Sequence, residues 1–184
     1  MKKVRDLIFL FLVTTTFGVS LNLLRHAVGK TSPWFVLIAM FDFLGLAAFA
    51  RPLFLLRMPP VLREVRAWEI HGLIYRRAGV AAFGALLQRS PLRYLNSHVY
   101  LRRYPDDLAL AQRQMEAAEA AHFWAATLII PYMIYAAMRE WWSVIFGFMA
   151  VEMFVNVYPI LHLRWVRGRL KRILDRKNHV PRFA

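Results

Sequence analysis

The sequence contains no cysteine and has few acidic residues. Its 184 residues include 11 Asp and Glu against 25 Lys and Arg. The missing thiol excludes disulfides, cysteine nucleophiles, thiolate metal sites and palmitoylation. The surplus of bases gives a formal net charge of +14, which is typical of a chain that meets nucleic acid or an anionic membrane surface. Because no nucleic-acid-binding motif, phosphate-binding glycine loop or dinucleotide fingerprint is present, we expect no nucleic-acid partner.

Long apolar runs favour the membrane over nucleic acid. Hydrophobic residues make up 59% of the chain, against roughly 45–50% in ordinary soluble domains. Four segments reach or approach the roughly 20 apolar residues that a membrane crossing needs. They cover about residues 7–24, 34–56, 120–138 and 141–163. The sequence therefore predicts a single membrane domain, an all-α integral membrane protein with about four transmembrane helices.

The placement of basic residues predicts the orientation. Lys2, Lys3 and Arg5 precede the first span, ten Arg lie between spans two and three, and eight Lys and Arg lie in the tail 164–184. Basic residues accumulate on cytoplasmic loops, so we expect a multi-pass plasma-membrane protein with both termini in the cytoplasm. As an alternative to a retained first span, residues 1–20 have the charge pattern and small residues of a cleaved signal.

Residues 57–119 are too long for a plain loop between two spans. Their stretch 80–87 is apolar, flanked by arginines and too short to cross a membrane. This pattern predicts an interfacial helical segment on the inner leaflet, lying flat or re-entering the bilayer. From Asp107 the composition is strongly helical, and Pro105-Asp106-Asp107 is a suitable start for a helix that continues into the third span.

Glu119 and His122 are the first candidates for chemistry. Their i, i+3 spacing puts a carboxylate and an imidazole on one helix face. Such a carboxylate can hold an imidazole and support it as a general base. The alternative is a surface acid beside an interfacial histidine.

A second acid–histidine pair, Glu69 and His71, lies in the predicted interfacial segment. Trp68 and Tyr75 flank it and are candidates for substrate binding. This pair is a second candidate for acid–base chemistry.

Polar residues gather at the inner end of the fourth span. Asn156 and Tyr158 are candidates for substrate binding, and Pro159 frees a carbonyl near residue 155, which could open a pocket. The basic candidates that follow are Arg164, Arg167 and Arg169. They could bind the phosphate of a substrate or of anionic lipid head groups, or they could serve only as a topology anchor.

Two further acids, Asp42 and Glu152, lie inside the spans, where an acid either serves function or holds helices together. A di-iron bundle needs a Glu-x-x-His motif from each of two helices. Because only Glu119-x-x-His122 is present, we expect no metal site.

Four motifs resemble one known family. In order they are Trp68-Glu69-x-His71-Gly72-x-x-Tyr75, Glu119-x-x-His122, Asn156-x-x-Pro159 and Arg164-Trp165-x-Arg167-x-Arg169-Leu170. The set is similar to the glycosyl-4,4'-diaponeurosporenoate acyltransferase family, small membrane proteins associated with the last step of staphyloxanthin synthesis. The resemblance covers about residues 66–174. Where the family has Gln-Arg-Tyr-Asn-Arg, this chain has Leu163-Arg164-Trp165-Val166-Arg167.

The resemblance implies acyl transfer to a sugar hydroxyl on a glycosylated carotenoid, or on a similar membrane lipid or isoprenoid. An acyl thioester would be the donor and co-substrate, with no further cofactor. On this hypothesis His122 removes the hydroxyl proton, Glu119 orients it, and Asn156 binds the sugar or the carbonyl oxygen. Arg164 and Arg167 would bind donor phosphates or the oxyanion.

Two other hypotheses remain. The chain could be a non-catalytic membrane protein that binds anionic lipid or a partner subunit. It could also be another lipid transferase, such as a methyltransferase, although no motif for a nucleoside cofactor is present.

Overall fold

The computed structural model of the chain describes residues 2–54, 58–91, 93 and 107–179, without the side chains of residues 2, 3, 50–54, 71 and 176–179. The helices of these residues are α1 (Lys2–Val28), α2 (Pro33–Phe54), α3 (Pro60–Arg63), α4 (Ala67–His71), α5 (Leu73–Arg77), α6 (Val80–Arg89), α7 (Leu108–Met138), α8 (Trp142–Glu152) and α9 (Tyr158–His179), with a π-helical turn at Met153–Val157 between α8 and α9. The described residues include no strand, so the all-α prediction is confirmed for them.

Three helical runs are long and apolar enough to cross a membrane, namely Val4–Val28, Leu108–Met138 and Trp142–Asp175. On α1, the side chains of Leu7, Phe11 and Leu23 are each more than half exposed. An apolar helix that buries little against its own chain is suited to lipid. The three runs indicate that the chain associates with a membrane.

The second predicted span, residues 34–56, is helical through Phe54, and residues 55–57 lie outside the described part. Its apolar portion Pro33–Phe49 is shorter than a full crossing. Three of the four predicted spans therefore have the length and composition of a crossing.

The start of α7 was predicted closely. Oδ1 of Asp107 accepts a hydrogen bond from the backbone N–H of Leu110 at 2.8 Å. This bond caps the helix that then continues, as predicted, through the third apolar segment to Met138. The other two predicted starting residues, Pro105 and Asp106, lie outside the described residues.

The chain divides into two compact units, and the first contains Met1–Arg57 and Ala120–Val157. Its core joins three helices through buried apolar side chains. These side chains are Phe35, Val36, Ala39 and Met40 of α2, Ile129 and Ala136 of α7, and Val144 and Phe148 of α8. Asp42, one of the two acids predicted inside the spans, accepts a hydrogen bond from the Ser20 hydroxyl at 2.8 Å and so links α2 to α1.

The second unit contains Met58–Glu119 and Tyr158–Ala184. Its core packs Ala111 and Met115 of α7 against Leu163 and Leu170 of α9. The short helices α3 to α6 belong to this unit, so the part of the predicted interfacial segment that the structure describes is helical. Residues 94–106 of that segment and 180–184 of the tail lie outside the described residues.

Candidate functional site

His122 faces Asn156 in the first unit. The imidazole Nδ1 lies 3.2 Å from Oδ1 of Asn156, which is fully buried between α2 and α7. The ring of His122 also makes a hydrogen bond with the backbone of Val155. The structure thus brings together two of the residues predicted from sequence, on two helices.

The amide of Asn156 is held in one orientation. Its Nδ2 donates to Oε2 of Glu152 at 2.9 Å and lies 3.2 Å from the sulfur of Met40. An amide nitrogen donates and an amide oxygen accepts, so Oδ1 is the atom left for His122. Nδ1 of His122 must then be the donor. In a neutral imidazole this tautomer leaves the lone pair on Nε2, as a general base requires.

The π-helical turn explains how the backbone of Val155 reaches His122. Pro159 has no N–H, so it cannot donate to the carbonyl four residues earlier, which is that of Val155. The helix widens into a π turn over Met153–Val157, a feature that often marks functional sites. The predicted freed carbonyl near residue 155 is therefore used by the candidate base.

Arg164 is the centre of an ion-pair cluster in the second unit. Its guanidinium donates to Glu69 at 2.7 and 2.8 Å and to Glu119 at 2.8 Å. The carbonyl oxygens of Leu62 and Glu64 accept its two other bonds. A guanidinium has five N–H donors, so every donor of Arg164 is used by the protein.

Arg167 extends this cluster one helical turn further. It donates to Oε2 of Glu119, to Oε1 of Glu116 at 2.9 Å and to the carbonyl oxygen of Arg63 at 2.7 Å. Its Nε is buried and has no hydrogen-bond partner among the residues described. Glu116 and Glu119 of α7 thus pair with Arg164 and Arg167 of α9, and both pairs have i, i+3 spacing.

Glu69 connects this cluster to α4. Its Oε2 accepts the backbone N–H of Arg66 at 2.7 Å, which caps α4, and its Oε1 accepts the hydroxyl of Tyr75 at 2.6 Å. Burial raises the pKa of Glu69, but the bonds from Arg164, Tyr75 and Arg66 outweigh it and lower that pKa to about 2. Burial and the neighbouring carboxylate raise the pKa of Tyr75, so its hydroxyl remains a donor.

Two glycines allow aromatic side chains to approach the backbone in this unit. Gly72 adopts φ +73 at the junction of α4 and α5, where a Cβ would meet Nε1 of Trp165 at 2.9 Å. A Cβ on Gly84 would lie 2.6 Å from Cε1 of His162. The guanidinium of Arg169 lies over the ring of Trp165, 5.6 Å from its centroid.

The remaining predicted site residues are more dispersed. Trp68 is half exposed, and the hydroxyl of Tyr158 donates to the carbonyl of Ala78 at 3.1 Å. The side chain of His71 lies outside the described residues. Glu119 and His122 are three residues apart in α7, yet the Glu119 oxygens bind arginines while Nδ1 of His122 binds Asn156.

Sequence reasoning did not assign a site role to Glu116 or Glu152. Glu116-x-x-Glu119 and Arg164-x-x-Arg167 share one spacing and have opposite charges, so their complementarity could have suggested the pairing. Glu152 and Asn156 are at i, i+4, a spacing at which polar side chains on a helix meet. Among the residues described, no group of three or more His, Asp and Glu is arranged to hold a metal ion.

Comparison with protein-family models gives a match to glycosyl-4,4'-diaponeurosporenoate acyltransferase over residues 59–176. This range includes the four motifs identified in the sequence and every residue of the ion-pair cluster. Neither the curated proteins nor the solved structures give a match.

Proposed function

The chain belongs to the glycosyl-4,4'-diaponeurosporenoate acyltransferase family, and we propose that it transfers a fatty acyl group from a thioester to a sugar hydroxyl of a glycosylated carotenoid or similar lipid. The observation that carries this proposal is the hydrogen bond between His122 and Asn156. It supports an imidazole whose Nε2 is free to accept a proton.

The reaction needs one base that becomes an acid. His122 takes the proton from the sugar hydroxyl through Nε2 as the hydroxyl oxygen forms a bond with the thioester carbonyl carbon. When the tetrahedral intermediate collapses, the C–S bond breaks, and the proton on His122 passes to the thiolate. The products are the sugar ester and a free thiol, and His122 returns to its neutral state.

Arg164 supports the site by holding helices together. With all five donors bound to protein, its guanidinium has none left for a donor phosphate unless a protein bond breaks. Arg169 is the better candidate for the donor, since its guanidinium is exposed and rests on Trp165. That Arg164 and Arg167 bind substrate directly stays a prediction.

The first test is the product formed in cells. Bacteria that make a glycosylated C30 carotenoid but cannot acylate it would express the chain, and extracts would be analysed by liquid chromatography and mass spectrometry. We expect a species heavier by one fatty acyl group.

His122→Ala should lower product formation by about 100-fold or more, because a general base contributes roughly 10²–10⁴-fold. His26→Ala is the matched control, since His26 is exposed and outside the family match. No product from the unchanged chain, with protein present in the membrane, would favour the non-catalytic hypothesis of lipid or partner binding.

We propose in addition that the chain crosses the plasma membrane four times with both termini in the cytoplasm. Because the chain lacks cysteine, single introduced cysteines can be mapped without background labelling. A membrane-impermeant maleimide applied to intact cells should label Ser32→Cys and Arg139→Cys but not Gln88→Cys. Labelling of Gln88→Cys alone would reverse the orientation.

A further inference from the structure

Glu152 is a buried acid without a cation. Its Oε2 accepts the Asn156 amide, and its Oε1 is buried with no hydrogen-bond partner among the described residues. The ion pairs among the described residues do not include it. A buried carboxylate that lacks a counter-ion costs free energy, so its retention calls for a role that its hydrogen bond to Asn156 can supply.

That bond determines which atom of Asn156 faces His122. If Glu152 offered no acceptor, the amide of Asn156 could rotate and present Nδ2 to the imidazole. Nδ1 of His122 would then have to accept, which moves the ring proton to Nε2 and removes the lone pair that the reaction needs. The sulfur of Met40 is a weak acceptor and holds Nδ2 less firmly than a carboxylate does.

We infer that Glu152 is a positioning residue for the acyl transfer, acting through Asn156 to keep His122 in the tautomer that has its base at Nε2. This inference rests on the proposed function. The relay runs from Oε2 of Glu152 to Nδ2 of Asn156, and from Oδ1 of Asn156 to Nδ1 of His122. The π turn and the α7 helix supply its members, and the proton that is transferred never reaches Glu152.

The relay makes a specific demand on kinetics. Glu152→Leu should lower kcat by about 10- to 100-fold, the range in which misplacement of a catalytic group acts. KM should change less than about twofold, because only the population of the reactive tautomer falls. Asp42→Leu is the matched control, since it removes the other acid of this unit, which binds Ser20 rather than the relay.

A charge swap separates the relay from a purely structural contact. Asn156→Asp alone places two carboxylates against each other and should lose at least about tenfold in kcat. Adding Glu152→Gln provides an amide that donates to the introduced carboxylate, whose other oxygen still accepts from Nδ1 of His122. We expect the double variant to regain most of the kcat lost by Asn156→Asp.

The outcomes are distinguishable. If purified wild-type protein in detergent forms no ester, the proposed function fails. If it is active and Glu152→Leu keeps its kcat, the inference fails while the function stands. If Glu152→Leu does not reach the membrane, the swap decides, since a double variant no better than Asn156→Asp overturns the relay. Loss of kcat in Asp42→Leu equal to that in Glu152→Leu overturns it as well.

Discussion

Arg164 and Glu69 form a two-point ion pair, in which Nε and Nη2 of the arginine donate to separate carboxylate oxygens at 2.7 and 2.8 Å. The parallel bonds match the fork of a guanidinium and cannot be made by an ammonium group. Because Glu69 also caps α4, this pair fixes the short helix carrying the first family motif against α9.

Arg164→Lys should therefore destabilise the fold although it keeps the charge. Lysine has three donors and no fork, so at least two of the five acceptors around Arg164 would lose their bonds. Breaking a buried pair costs roughly 3–5 kcal/mol, and we expect a loss of about half that because the charge remains. Melting temperatures in detergent measure the effect.

The control for that prediction lies on the same helix. Arg169→Lys removes an exposed guanidinium and should leave the melting temperature unchanged within about 1 °C, since exposed cations contribute little to stability. Equal melting temperatures for Arg164→Lys and the wild type would contradict the clamp.

The lowered pKa of Glu69 predicts an acid-dependent stability. In the unfolded chain the carboxyl takes up a proton near its ordinary value of 4.5, whereas in the folded chain it stays ionised down to about 2. The stabilisation from Glu69 is therefore complete above that ordinary value and is lost as the pH falls toward 2. We expect the melting temperature to fall steeply from about pH 5 to about pH 2.

Glu69→Gln isolates this contribution. The amide does not titrate, so the variant should be less stable at neutral pH and should lose less further stability in acid than the wild type does. Glu140→Gln, at an exposed turn, should keep the wild-type dependence. Parallel curves for Glu69→Gln and the wild type would show that other carboxyls cause the acid transition.

Gly84→Ala should destabilise the second unit. A methyl group there would lie 2.6 Å from Cε1 of His162 and 2.9 Å from Nδ1, closer than ordinary van der Waals contact. The ring would have to move within a packed cluster, which costs about 1–3 kcal/mol. Gly18→Ala, with nothing within 4 Å, should leave stability unchanged or raise it by up to about 1 kcal/mol.

A second substitution tests the cause. With His162→Ala added, the methyl group of Gly84→Ala has space, so its extra cost should largely vanish in a double-mutant cycle of melting temperatures. Full additivity of the two changes would mean that contact with the ring is not the source of the loss.

The sequence predicted helices better than partners. Hydropathy located the membrane-compatible runs, and Asp107 marked the start of α7 because an N-cap depends on local backbone chemistry alone. Partners depend on which helices meet. Glu119 has the spacing to reach His122, but the i+3 rule applies within one helix and does not include the arginines of α9. Those arginines supply four protein hydrogen-bond donors to Glu69 and Glu119.

The relay residues show the same limit. Glu152 and Asn156 could be linked by their i, i+4 spacing, and Pro159 predicted a freed carbonyl near residue 155. The approach of Met40 and His122 to that turn depends on packing between α2, α7 and α8, which single-helix patterns do not specify. The sequence could therefore nominate polar groups without assigning which atom faces which.

Pro159→Ala should separate activity from stability. The new N–H can donate to the carbonyl of Val155, so we expect the π turn at Met153–Val157 to relax to an α-helix. Removing the extra residue of that turn rotates the flanking segments by about 100° relative to each other, the angle of one helical residue. Asn156 would then no longer face His122, and kcat should fall about tenfold or more.

The melting temperature should stay the same or rise, because a backbone hydrogen bond is gained and a helix-breaking residue is lost. Pro131→Ala in α7 is the matched control, as it makes the same substitution at an exposed position of a membrane-compatible helix. We expect Pro131→Ala to retain wild-type kcat. Full activity of Pro159→Ala, or a loss of activity that only follows a loss of folded protein, would show that the π turn does not position Asn156 for catalysis.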